Sequence, residues 1–143
     1  MTIGKVVSHW WRRLFPQVPL GRRGEAAAAR FLRRRGYKIV ARSDHLQPGE
    51  LDLVAVDKDR TIVFVEVKTR KSQDVGHPVE AVDSEKQRRL SRLAVTYLKR
   101  HGLLEYSARF DVIAITWPEG RRRPQIEHFE NAFEAVGRDD LYS

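Results

Sequence analysis

The stretch Thr61 to Arg70, TIVFVEVKTR, constrains this chain more than any other. β-Branched and aromatic residues fill Thr61 to Val67, so it reads as a strand. Strand side chains alternate between faces. Val63, Val65 and Val67 therefore share one face, and Ile62, Phe64, Glu66 and Lys68 share the other. An acid and a base, roughly 7 Å apart at Cβ, sit on a face that is otherwise apolar. Burial makes an unpaired charge costly, so the pair calls for a chemical reason.

The preceding segment offers one. Glu50 to Asp57, with LDLVAV at its heart, reads as a second strand, and Asp57 to Arg60 is a tight charged turn. If the two strands form a hairpin, Asp52 is the second carboxylate. Opposed residues share a face, so Asp52 meets Glu66 only if paired residue numbers have an even sum. A symmetric two-residue turn at Lys58-Asp59 would put Asp52 against Val65. The site requires a three- or five-residue turn, or a bulge.

Facing carboxylates repel unless a cation lies between them. Oxygen ligands alone select a hard ion, Mg²⁺ or Mn²⁺. Such an ion polarises a phosphoryl oxygen and acidifies a bound water. Lys68 would orient or deprotonate that water, or stabilise charge building on phosphate. Glu25 could complete the carboxylate shell, and Lys86 could approach the phosphate. The bland alternative is a cross-strand salt bridge for Glu66 and Lys68, with Lys86 explained by helix capping.

The remaining elements follow from pattern. Gly24 to Arg35 reads as a helix stopped by Gly36. Glu25, Ala28, Ala29 and Leu32 make one stripe on it, and its late arginines suit the helix dipole. Tyr37 to Ala41 is a short first strand. Ser43 to Gly49 is a polar loop with His45 and Pro48, and Thr61 to Thr69 is the third strand. Ser84 to Arg100 is the longest helix. Ser84 and Gln87 suggest a capping box, and Gly102 follows the end. Leu90, Leu93, Ala94, Tyr97 and Leu98 form its apolar face, which Lys86 continues. Arg88, Arg89, Arg92, Lys99 and Arg100 give it a basic exterior. Arg109 to Thr116 is a fourth strand and Gln125 to Phe129 an edge strand. Asp111, between apolar neighbours, reads as the end of a buried polar network. Trp117 to Pro124 is a basic loop.

The chain of 143 residues fits one domain. Its organisation reads as an N-terminal basic and aromatic arm (1–20), a main domain (21–136) and a tail (137–143). The arm carries Trp10, Trp11 and Phe15 with Pro16 and Pro19. It reads either as a segment packed on the domain or as one touching nucleic acid or lipid. A formal net charge of +8 points to a polyanionic partner. The absence of cysteine excludes disulfides, thiolate nucleophiles and zinc–thiolate sites, and fits a reducing, cytoplasmic setting. No apolar run approaches a membrane span, and the N-terminus is not a convincing signal peptide. The five histidines lack metal-ligand spacing, and Ser43, Asp44 and His45 are neighbours without support for a triad.

The order helix, three strands, helix, strand, with an acid on strand two and Glu-x-Lys on strand three, resembles the PD-(D/E)xK nuclease superfamily. GRRGEAAAARFLRRRGYKIV, GELDLVAVD, TIVFVEVKTR, GHPVEAVDSEKQRRL and RFDVIAI are similar to the YraN-like family of predicted endonucleases. The likeness covers Gly21 to Ala135. It implies an α/β, restriction-endonuclease-like core (αβββαβ) with a central mixed sheet flanked by helices, related to Holliday-junction resolvases. It implies metal ligation by Asp52, Glu66 and the Val67 carbonyl, catalysis by Lys68, and Glu25 as the helix acid. Leu51 stands where the superfamily has proline. The expected activity is metal-dependent hydrolysis of DNA phosphodiesters in repair, recombination or processing, with Lys86, Arg70 and Arg89 contacting nucleic acid. The rival is a nucleic-acid-binding adaptor that keeps the fold and cuts nothing. A membrane-surface protein built on the Trp10-Trp11 arm is a third reading. So small a domain has little surface for choosing substrate, which leaves room for a homodimer or a repair or recombination partner.

Overall fold

Two glycines end the two helices of the described residues. Gly36 and Gly102 take positive φ (91° and 65°), open to glycine without steric cost. Behind each, backbone N–H groups close on the helix's last carbonyls: Tyr37 on Leu32 at 3.0 Å and Leu103 on Leu98 at 2.8 Å. The helices so closed are α1 (Leu20–Arg34) and α2 (Ser84–Arg100). The strands are β1 (Lys38–Arg42), β2 (Leu53–Val56), β3 (Ile62–Arg70), β4 (Ala108–Thr116) and β5 (Gln125–Phe133). The structure, a computed structural model, describes residues 20–43, 51–71, 76–118 and 123–135. The expectations for the arm before residue 20, for 44–50, for Arg121 and Arg122, and for the tail lie outside these residues.

Among the described residues, five strands lie in the order β1-β2-β3-β4-β5. Only β3 and β4 pair in parallel, with α2 as the crossover; the other neighbours are antiparallel. The sheet is therefore mixed, with a helix on each face, as expected of an αβββαβ core. Ala28, Ala29 and Leu32 of α1 pack on Val63, Val65, Ile113 and Ile115. Leu90, Ala94 and Leu98 of α2 pack on Val54, Phe64 and Val112. The alternation along β3 thus sorts its two faces onto two helices.

Several boundaries differ from expectation. α1 begins at Leu20, four residues earlier than Gly24. β2 is shorter and starts after Asp52. β5 runs on to Phe133, held by a buried acid. Asp111 is fully buried and accepts from the Asn131 backbone N–H at 2.9 Å, where Asn131 has φ of 51° and the β4–β5 register shifts. Asp111 also meets Arg109 Nε at 3.0 Å and His128 Nε2 at 2.7 Å, and Arg109 reaches Asp57 at 2.7 Å. This is the buried polar network the pattern suggested. The capping box is a correction. The N-cap of α2 is Asp83, whose carboxylate accepts from the Lys86 backbone N–H at 2.8 Å, while Gln87 donates to the Val82 carbonyl. An aspartate ahead of Ser84 competes for the same N–H groups and wins with its charge.

Candidate active site

The hairpin loop decides the geometry. Asp57 pairs back to Thr61 (N to O 3.1 Å), leaving Lys58, Asp59 and Arg60 as a three-residue loop. Asp57 Oδ1 accepts from the N–H groups of Asp59 and Thr61 at 2.8 and 2.9 Å. Arg60 has φ of 64°, the left-handed residue that closes such a loop. Leu53 accordingly faces Val65 and Val54 faces Phe64. Paired numbers sum to an even value, and continuing the register by one residue sets Asp52 opposite Glu66. Asp52 and Glu66 therefore share the α2 face with Phe64 and Val54.

Asp52 Oδ2 accepts from the Val67 N–H at 2.8 Å. Its pKa is pushed up to about 8, first by burial, then by the charge of Glu66 and a hydrogen bond between the two carboxyls, with Glu25 adding further negative field. Two carboxyls this close need a shared proton or a cation.

Two lysines attend Glu66 from different elements. Lys86 Nζ lies 2.6 Å from Oε1, and Lys68 Nζ lies 3.6 Å from the same oxygen. Burial and then the neighbouring Lys86 hold Lys68 below the ordinary lysine value. Burial also opposes the charge of Lys86, but its hydrogen bond to Glu66 outweighs this and raises it. The Asp83 cap fixes the first turn of α2 and so sets where Lys86 enters.

Glu25 arrives from α1, on the far side of the sheet. A Cβ at Gly24 would collide with the Thr69 side chain, so this glycine lets α1 sit against β3. Ser43 joins the parts: its hydroxyl donates to Glu25 Oε2, and its N–H donates to the Asp52 carbonyl at 3.0 Å. The sequence reading missed this role, for Ser43 stood as the start of a polar loop and as one of three neighbours without support for a triad. Of the expected residues, Glu25, Asp52, Glu66, Lys68 and Lys86 come together here. Lys86 binds the carboxylate directly. Arg70 closes β3 and donates to the Gly76 carbonyl at 2.8 Å. Arg89 is exposed three residues beyond Lys86.

Among the described residues, no three His, Asp or Glu side chains form a ready-made metal cage. The donor set still fits a hard ion. Mg²⁺ is commonly bound through one or two carboxylates, its remaining positions filled by water and substrate phosphate. Asp52 and Glu66 supply the carboxylates. The Val67 N–H faces Asp52, and its carbonyl lies along the same strand edge.

An αβββαβ core with these groups at one end of its sheet is the architecture of the restriction-endonuclease-like α/β class. Comparison with known proteins takes this further. Residues 24–115 match the uncharacterised protein family UPF0102. A UPF0102 protein of Rhodopirellula baltica is 47% identical over 148 residues, covering 99% of this chain and 89% of its own. A UPF0102 protein of Geobacter metallireducens is 50% identical over 115 residues, covering 80% and 92%. One of Symbiobacterium thermophilum is 48% identical over 117 residues, covering 81% and 97%. The chain belongs to UPF0102, the YraN-like family. Among the described residues no helix is long and apolar enough to cross a membrane.

Proposed function

We propose that this protein is a divalent-metal-dependent endodeoxyribonuclease acting in DNA repair, recombination or processing. The observation that carries the reading is the opposed pair Asp52 and Glu66, where burial and then the charge of Glu66 push Asp52 up to about 8. A structural salt bridge would not place two acids face to face. Asp52, Glu66 and the Val67 carbonyl would hold Mg²⁺ or Mn²⁺, which would supply an acidified water and a polarised phosphoryl oxygen. Lys68, made less basic by burial and Lys86, is suited to take or direct a proton from the attacking water. Glu25, tied to Ser43, adds to the negative field at Asp52. Lys86, with Arg70 and Arg89, would neutralise phosphate. The net charge of +8 supports a nucleic-acid partner.

One observation favours the adaptor instead. Lys86 and Lys68 both lie against Glu66 Oε1 and can balance its charge without a metal. The test is cleavage of linear and branched DNAs with Mn²⁺, comparing wild type with Lys68→Ala. Cutting that disappears in the variant supports the nuclease. Salt-dependent binding with no cutting by either, unaffected by Glu66→Gln, supports the adaptor.

A further inference from the structure

Arg23 and Trp117 meet at the end of the sheet that carries the site. The Arg23 guanidinium lies 4.8 Å from the centroid of the Trp117 ring. Trp117 follows β4, and its N–H donates to the Arg70 carbonyl at 2.9 Å. Arg70 is only two residues past Lys68 on β3, about 7 Å along the strand. Arg23 is two residues before Glu25 on α1. The pair therefore stands at the rim where β3 and β4 end.

Trp117 is half-buried against the α1-side core, which fixes its ring. Arg23 is exposed, and its guanidinium stands over the ring, so a planar cation lies on an aromatic face at the protein surface. The simplest rival is that Arg23 merely shields a core aromatic. Its position argues against a purely stabilising role. Arg22 and Arg23 occupy the first turn of α1, which contains no acid, and a cation there works against the helix dipole.

We propose that Arg23 on Trp117 is a stacking platform for an unpaired base, making the substrate a DNA with a single-stranded arm beside the scissile phosphate. The inference rests on the nuclease reading for the position of that phosphate. Glu66 and Lys68 lie on the α2 face, whereas Trp117 packs on the α1 face. A strand touching both crosses the end of the sheet where β3 and β4 finish. A base inside a duplex is already stacked on both neighbours and has no free face to lay on a guanidinium. An unpaired base has one, and single strands are held by stacking bases on aromatic rings and arginine planes.

The probe is a duplex with a single-stranded arm bearing a fluorescent purine analogue at its first unpaired position. A paired duplex and a paired four-way junction serve as comparisons. Binding is measured in a chelator with the full-length protein. Wild type should quench the analogue and bind the armed duplex in preference to both paired DNAs. Arg23→Lys keeps the charge but removes the plane. It should lose the quenching and bind the armed duplex about fivefold more weakly, with paired-duplex affinity unchanged. Lys68→Ala should keep the quenching. Equal binding of armed and paired DNA by wild type, or undiminished quenching by Arg23→Lys, overturns the platform. Quenching by wild type without Mn²⁺-dependent cutting upholds the platform and rejects the nuclease. Cutting without quenching rejects the platform alone.

Discussion

Replacing Asp52 with Asn should make the protein more stable in a chelator at neutral pH, while abolishing its response to metal. Asp52 binds its proton more tightly when folded, with a pKa near 8 against an ordinary 3.8. Its contribution to stability is therefore fully present at low pH. It is lost progressively as pH rises from about 4 through about 8. At about 1.4 kcal/mol per pKa unit, the loss by pH 7 is of order 4 kcal/mol. Asn resembles the protonated acid, and its NH₂ can donate to Glu66 where the acid's O–H would. Asp52→Asn should thus gain about 3 kcal/mol at pH 7, or roughly 10 °C in Tm for a domain of this size, and almost nothing at pH 4. The assay is urea unfolding of both proteins across pH 4–9 in a chelator. Wild-type stability should fall across that window more steeply than the variant's. Added Mn²⁺ should then raise the Tm of wild type and leave Asp52→Asn unchanged. Parallel pH curves of equal height would refute the claim that two crowded carboxyls define the site.

Two further predictions concern how the site is held. Gly24→Ala should destabilise by about 1–3 kcal/mol despite alanine's better helix propensity, because the new methyl meets Thr69; chemical unfolding measures this, and a gain in stability would show that α1 does not depend on the close approach. Asp111→Ala removes the buried partner of half-buried Arg109 and His128 and should cost about 3–5 kcal/mol, with faster amide exchange across Gln125–Phe133. Burial works against the Asp111 charge, but His128 and Arg109 outweigh it and hold its pKa below the ordinary aspartate value. Its contribution is therefore present above that value and lost as pH falls below it, so the variant should show a weaker acid dependence than wild type.

The architecture was legible in the chain because each local signal agreed with the next. Alternation along Ile62–Lys68 separated the strand's two faces, though which helix covers which came only with the fold, and glycines at 36 and 102 marked both helix ends. The acid–acid–lysine set was legible too, as residues. Their convergence was not, since it depended on whether the hairpin loop held two residues or three. A one-residue slip would have turned Asp52 to the opposite face from Glu66. Arg60 sets that register in a left-handed conformation usually signalled by glycine or asparagine, so its letter gave no warning. The Ser43 link between Glu25 and Asp52 and the Arg23–Trp117 stack were hidden for a related reason, while the Asp83 cap is a local feature that the choice of Ser84 overlooked. Sequence alone determined which residues form strands and helices and which face each prefers, because those preferences are local and periodic. Tertiary structure decided which charges meet, because contacts between distant segments depend on strand register and helix placement, and no short stretch of chain encodes either.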